Sequence, residues 1–463
     1  MLQMDSQSTR LKIAVVGCGH GQLDTIYATA ESQCRQKGCS LSDLDLLLVC
    51  GDFQAVRNVR DLNCMSVPRK YRELGSFHKY YSGAAVAPVL TLVIGGNHEA
   101  SNYLFELYHG GWLAPKIYYL GAAGVVRYGP LRVAGLSGIY QRKDYRGPHH
   151  ERLPYERDDI KSVYHVREYD VDKLLRLGAG VDIAMSHDWP AWIELFGDYQ
   201  KLFAANPHFL ESATKDGLGS FPAMELLNHL RPAHWFSAHM HYRFNATVQY
   251  TAERIEDTVR ARPVMPSIRG KLPVFKSQRK YFVSGTKPVG TRQSTEFLAL
   301  DKYKEGRPTT NFLDILEIDS PSRPEDAPYL KMRTADGKFN LCYDAEWLAI
   351  TRAYNGALRV QDPETLVVPP DKSRGKKPSA GAIAKHKEWV RLNIVEKGLL
   401  EVPRRFTVHA PRHDAAMDGT LEMPSEYPNS QTARFIELLQ MENRFAPGSK
   451  ESDDGDSIFE REA

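Results

Sequence analysis

The chain has 463 residues, 42% hydrophobic and 25% charged, which is enough for one large catalytic domain with a smaller part appended. Sixty Lys and Arg against fifty-seven Asp and Glu leave a formal charge of +3, so bulk charge carries no argument for nucleic-acid binding and only local charge can. The six cysteines contain no C-x-x-C pair and fit a reducing compartment, cytosol or nucleus, while the absence of an apolar leader at residues 1–10 or of a run near ~18 apolar residues predicts a soluble protein with no membrane contact.

In chain order, residues 12–17 (KIAVVG) predict a strand closing on glycine, and residues 23–36 a helix. Residues 44–50 (LDLLLVC) and 89–94 (VLTLVI) predict strands of the fully buried type, closing on Gly51-Asp52 and on Gly95-Gly96-Asn97-His98. Short strands are expected at 117–120, 131–136, 183–186, 234–237 and 281–284. This alternation predicts an α/β domain with a largely buried sheet, whose ligands gather at the loops beyond strand ends.

Two segments break the rhythm. Residues 141–165 are charged, Tyr-rich and punctuated by Pro, and residues 248–280 are rich in Arg, Pro and Lys and read as a surface excursion. Past residue 295 a strand at 312–318 and a helix at 344–354 predict a smaller C-terminal α+β unit packing on the main domain. The expected division is 1–295 catalytic, 296–368 C-terminal, and 369–463 a basic linker, a further segment and an acidic tail. The basic stretch to about Lys387 and the tail at 452–457 have the composition of disordered chain; the former reads either as a nuclear-localisation signal or as a solvated linker.

Five clusters follow strand-like runs: Cys18-Gly-His20, Gly51-Asp52, Gly95-Gly96-Asn97-His98-Glu99, Ser186-His187-Asp188 and His239-Met-His241. Singly, each has an ordinary role: Asp52 caps a helix, Asn97 occupies a turn, a loop histidine makes a surface hydrogen bond. Together they supply what a divalent transition metal needs, namely imidazole nitrogen, a carboxylate able to bridge two ions ~3.5–4 Å apart, and an amide oxygen. The rival Gly17-x-Gly19-x-x-Gln22, a partial dinucleotide fingerprint, lacks its third glycine.

Gly51-Asp52, Gly96-Asn97-His98-Glu99 and His239-x-His241, in this order, resemble the blocks of the calcineurin-like metallophosphoesterase superfamily. That superfamily opens with Asp-x-His, whereas here the residues are Cys18-Gly19-His20. Within it, GCGHGQLD (17–24), CGDFQAVR (50–57), GGNHEAS (95–101), LSGIY (136–140), SHDWP (186–190) and FLALDK (297–302) resemble the RNA lariat debranching enzymes. The likeness runs from about Lys12 to Lys302.

It implies a metallophosphoesterase-type β-sandwich flanked by helices, and metal ligation by His20, Asp52, Asn97, His187, His239 and His241, with His98 as general acid. Cys18 would line the site, either as a weak or absent ligand or as a small buried residue beside it. A divalent transition metal, Fe(II), Zn or Mn, is expected, one or two ions per chain, and a thiolate would favour Zn or Fe(II) over Mg. The implied reaction is in-line attack of water on the phosphorus of a 2′-5′ branch, the water's pKa lowered by the metal to about 7, with intron-lariat RNA as partner and the nucleus, with possible shuttling, as location. Splicing or RNA-turnover proteins are expected partners of the C-terminal region.

Tyr140, Arg142, Lys143, Tyr145, Arg146, Tyr155, Tyr164 and His165 interleave cations with aromatic rings, the composition of single-stranded RNA recognition as much as of a solvated loop. The resemblance implies a lariat-recognition loop here. Arg57 either positions a phosphate or makes a structural salt bridge, and Trp189 either stacks on a base or packs in the core. The competing functions are a phosphoesterase for nucleotides or phosphoproteins, expected to keep the first Asp and lack the Tyr-rich insertion, and a non-catalytic scaffold, expected to have lost several ligands.

Overall fold

Strand order, more than strand count, explains how residues far apart in the sequence meet. The computed structural model describes residues 8–215, 217–250, 289–360 and 377–445. Its strands are β1 (Ser8–Val16), β2 (Leu46–Val49), β3 (Thr91–Val93), β4 (Gly111–Ala114), β5 (Ile117–Tyr119), β6 (Ala123–Tyr128), β7 (Leu131–Leu136), β8 (Ile183–Ser186), β9 (His234–Ser237), β10 (Phe244–Gln249), β11 (Ser294–Ala299), β12 (Leu313–Pro321) and β13 (Leu341–Tyr343). They form a six-stranded sheet, β12-β1-β2-β3-β5-β4, and a seven-stranded one, β10-β11-β9-β8-β7-β6-β13.

Strand periodicity sorts the side chains of each sheet into two layers. Leu11, Ile13 and Val15 of β1 join Leu46, Leu48 and Leu92 in packing against Val133, Ile183, Met185, Phe236 and Leu298 of the other sheet. Their neighbours Ala14, Val16, Leu47 and Val49 face outward, onto the helix Leu23–Gln36 through Ile26 and Ala30. On the far side, Val125, Leu136, Ala184 and Trp235 are covered by the helices Glu168–Leu174, Phe221–Leu230 and Ala345–Tyr354. The product is the expected sandwich flanked by helices. No helix among the described residues is long and apolar enough to cross a membrane.

The boundary expected at residue 295 falls inside β11, which pairs in parallel with β9 and antiparallel with β10. Later strands are also absorbed: β12 pairs antiparallel with β1 along its whole length, Ser8 opposite Pro321 and Val16 opposite Leu313, and β13 borders β6. Buried charges seal this junction. Arg127 meets Asp326 at 2.6 Å and Asp344 at 2.7 Å, and Arg132 meets Asp344 at 2.8 Å and Glu346 at 2.9 Å.

Beyond it, residues 401–427 run as an extended strap over the six-stranded sheet. Trp112 Nε1 donates to the Pro403 carbonyl at 2.9 Å and Asn58 Nδ2 to Pro411 at 2.8 Å. The Gln431 amide then accepts from the Trp112 N–H and donates to its carbonyl, each at 2.8 Å, covering the exposed edge of β4. The part of the basic stretch from Ser379 onward is ordered, with Ser379 capping the helix Ala380–Val390 through the Ala382 N–H, so the stretch is not disordered throughout. The expected strand at 281–284, most of the 248–280 excursion and the acidic tail lie outside the described residues.

Candidate metal centre

Parallel strands β1, β2 and β3 of one sheet and β8 and β9 of the other end at one edge of the sandwich, and each is followed by one of the five clusters. The loops turn sharply there: φ is +44° at His20, +47° at Asp52, +62° at His239 and +50° at His241. Left-handed backbone at a non-glycine residue costs about 1–3 kcal/mol and concentrates at functional sites. Close approach needs glycine beside them. A Cβ on Gly96 would fall 2.2 Å from Asp52 Oδ1, and one on Gly51 would fall 2.3 Å from His187 Nδ1.

Asp52 is the hub. Its Oδ1 lies 3.3 Å from His187 Nε2, and its Oδ2 lies 3.7 Å from His20 Nε2 and 3.4 Å from His98 Nδ1. Asn97 Oδ1 is 3.2 Å from the same His187 Nε2, and His20 Nε2 is 3.1 Å from His241 Nε2. The His239 ring lies 5.0 Å from that of His187. One donor atom each from Cys18, His20, Asp52 and His241 falls within 4.8 Å of the others.

Electrostatics fit a cation at this point. Burial lowers His20 to about 4 and His239 and His241 to about 3, so these rings are neutral and present lone pairs. Burial alone would raise Asp52, but His187, His20 and His98 hold it well below the carboxylate range as an anion. His187 Nδ1 donates to the Cys50 carbonyl at 2.7 Å, which leaves Nε2 facing two acceptor oxygens, Asp52 Oδ1 and Asn97 Oδ1. A cation between them, or a proton on that nitrogen, turns this repulsion into attraction. Burial disfavours the protonated ring while Asp52 favours it, with a net upward shift. Cys18 differs from the rest: burial and Asp52 push its thiol well above the usual range, and its sulfur accepts the His239 N–H at 3.3 Å.

Three supporting residues were not assigned roles from sequence. Glu99 accepts from the backbone N–H groups of Phe53, Gln54 and Gly96 at 2.7 to 2.9 Å, tying the β2 and β3 loops together; burial and Asp52 push its carboxyl up to about 7. The Gln54 amide sits 3.2 Å from His20 Nδ1 and holds that ring. Lys302, which is bridged to Cys18 in parallel register, adds a positive charge felt by His20 and His241. All three lay inside blocks already noted in the sequence, GGNHEAS, CGDFQAVR and FLALDK.

The residues expected to contact RNA divide into two groups. Tyr164 and His165 line a cavity of about 50 Å³ with Gly95, Gly96 and Glu99, which puts these two residues beside the loop that carries Asn97 and His98. Arg142, Lys143 and Arg146 are exposed. Tyr140 and Tyr145 pack edge to face at 5.5 Å, and His165 is buried with Nδ1 2.6 Å from Asp144 Oδ2.

Two open alternatives, at Arg57 and Trp189, resolve to the structural one, and the placing of Tyr155 at the RNA surface is corrected. Arg57 is 0% exposed: its guanidinium pairs with Asp61 and Glu106, each at 2.9 Å, and lies 4.1 Å from the centre of the Tyr103 ring, so it is a structural ion pair. Trp189 is stacked on Phe244 at 5.3 Å and donates to the Ala238 carbonyl at 2.8 Å, the core role. Tyr155 is buried with Cys64 and Val163. None of the three presents a face to a substrate.

A helix-flanked sandwich of two mixed sheets with a histidine, aspartate and asparagine cluster at its shared edge defines a calcineurin-like phosphoesterase, and that family's profile matches residues 11–243. A second profile, the C-terminal domain of lariat debranching enzymes, matches residues 292–444. The lariat debranching enzymes of Arabidopsis thaliana and Homo sapiens are 41% and 40% identical to the chain, each alignment covering 93% of it and 86% and 69% of those proteins. Lariat debranching enzyme A of Xenopus laevis is 37% identical over 98% of the chain and 75% of its own length. The chain belongs to the lariat debranching enzyme family.

Proposed function

We propose that the protein hydrolyses the 2′-5′ phosphodiester at the branch of intron-lariat RNA, leaving the 5′-phosphate on the intron's first nucleotide. The observation that carries this reading is the buried Asp52 carboxylate, ringed by His20, His98 and His187, in a chain whose 141–165 loop adds the exposed cations Arg142, Lys143 and Arg146.

His20, Asp52, Asn97, His187, His239 and His241 would hold divalent metal, and their nitrogen and oxygen donors suit Fe(II), Zn or Mn. Such an ion, when bound, supplies positive charge for the phosphate and acidifies water. Cys18, neutral and engaged by the His239 N–H, is a poor further donor, which favours one firmly held ion over two.

The chain's own part is to hold and move a proton and to position the substrate. Asp52 fixes His98 by accepting its backbone N–H at 2.8 Å and by lying 3.4 Å from its Nδ1, leaving Nε2 to protonate the departing ribose 2′-oxygen. A general acid at an alkoxide leaving group contributes about 10²–10⁴-fold. Arg142, Lys143 and Arg146 would hold phosphates, with Tyr164 at the wall nearest the centre. The nucleus is the proposed location because lariats are made there.

The test presents a 2′-5′ branched RNA, a linear 3′-5′ RNA and an aryl phosphodiester to enzyme of defined metal content. Selective release of the branch is expected. Equal cleavage of all three overturns the proposal in favour of a general phosphodiesterase.

A further inference from the structure

Between the buried residues Met65 and Phe77 the chain leaves the core and exposes a short turn, Arg69–Tyr71. Tyr71 is 63% exposed, and Pro68, Arg69 and Lys70 are exposed beside it. The two flanks of this excursion are pinned to different parts of the site. On one side Ser66 Oγ accepts from the Tyr164 hydroxyl at 3.1 Å, so it touches the 141–165 loop. On the other, the Ser76 N–H and hydroxyl both donate to the Gly21 carbonyl, at 3.0 and 3.2 Å, one residue beyond His20. Contact there is tight: a Cβ on Gly75 would fall 2.7 Å from that carbonyl. The turn therefore spans the rim from the basic, Tyr-rich loop to the metal centre.

It is also built to be rigid. Arg72 folds back and donates to the carbonyls of Val67 at 2.8 Å and Met65 at 3.1 Å and to Asn63 Oδ1 at 3.3 Å. Asn63 in turn donates to the carbonyls of Thr420 and Glu422 in the strap, at 3.1 and 3.0 Å. Arg72 is consumed by structure, whereas Arg69 and Lys70 have no acidic partner within ion-pair distance among the described residues. Lys70 Nζ lies 4.7 Å from the centre of the Tyr71 ring. An exposed aromatic ring beside two cations that have no acidic partner, on a preorganised turn, is the arrangement that stacks an unpaired base and holds its flanking phosphates.

We propose that Arg69, Lys70 and Tyr71 form a second docking element for single-stranded RNA, gripping an arm of the substrate as it leaves the branch. This inference rests on the proposed function for the identity of the RNA. A protein partner is the other occupant such a tip would serve, but three consecutive residues offer little of the buried area a protein interface needs, whereas one base and two phosphates match their size.

The experiment uses the full chain and measures, by fluorescence anisotropy and by steady-state kinetics, a branched RNA with long arms, one trimmed to the branch nucleotides, and a linear single strand. Tyr71→Ala is expected to weaken binding of the long-armed RNA by about 5- to 150-fold, the range for one stacked base, with the loss in KM more than in kcat. Tyr71→Trp restores it, which a merely structural role would not allow. Arg69→Ala with Lys70→Ala lowers the slope of log K against log salt by about 1.4 units, two phosphates on a single strand. The trimmed RNA discriminates least between the variants. Unchanged affinity and slope in both variants, with unchanged melting temperature, overturn the inference and leave a protein as the occupant to seek. Should the wild type cleave branched and linear RNA alike while Tyr71 still governs binding, the branch assignment fails and the docking element stands.

Discussion

His98 Nδ1 lies 3.4 Å from Asp52 Oδ2 while its backbone N–H donates 2.8 Å to Asp52 Oδ1. One carboxylate therefore orients His98 through ring and main chain at once. His98→Ala keeps the main-chain bond and removes the proton donor. We expect single-turnover cleavage of branched RNA to fall by about 10²–10⁴-fold, with metal content and RNA affinity retained. Wild-type turnover in this variant would remove His98 from the mechanism.

Stripping metal with a chelator is expected to abolish cleavage, and Asp52→Asn to prevent its recovery on adding metal back, because Asp52 is the anion on which three histidines converge. Cys18→Asp adds a second hard anion where the thiol is neutral. Elemental analysis should then show more metal retained per chain and a shift toward harder ions. Unchanged stoichiometry would mean that the site's capacity is set elsewhere.

Arg57→Met leaves Asp61 and Glu106 buried without their cation. Removing one partner of a buried pair costs about 3–5 kcal/mol, which urea unfolding would register. RNA affinity of the folded variant should be little changed. Selective loss of RNA binding at full stability would restore Arg57 to the interface.

Asp344 carries a pH dependence of known sign. Burial alone would raise its pKa, but Arg132 and Arg127 outweigh that and hold it below the carboxylate range. Its stabilising effect is therefore present above the unfolded value of about 3.9 and is lost as pH falls from there through the depressed folded value. Asp344→Asn should be less stable at pH 7 and show a flatter acid limb in unfolding titrations. An acid limb as steep as that of the wild type would place the titrating groups elsewhere.

Much of this architecture was readable before any coordinates. Strands β7, β8 and β9 and the helix Leu23–Gln36 announce themselves as apolar runs or helical periodicity bounded by Gly or polar loops, and the metal cluster follows from residue types that no other role gathers. What stayed hidden depends on partners distant in sequence. The pairing of β1 with β12 has no local signature. β6 (AGVVRY) opens on two small residues, and Gly124 is one of necessity, since a Cβ there would fall 1.9 Å from the Leu120 carbonyl. Composition also cannot say which way a side chain points: Arg57 read equally as a phosphate ligand or as a structural ion pair, and only its burial against Asp61 and Glu106 decides. The Arg69–Tyr71 turn escaped notice because its meaning lies in what its ends touch.

β1 is made first and its outer edge is closed by β12, whose first residue is 313. At about 5–20 residues per second a nascent chain spends on the order of 15–60 s with that edge unpaired, and the strap that steadies the rim emerges later still. During translation the N-terminal half is thus an unfinished sheet with an open template for misplaced strands, and loss of the C-terminal third would make that transient hazard permanent.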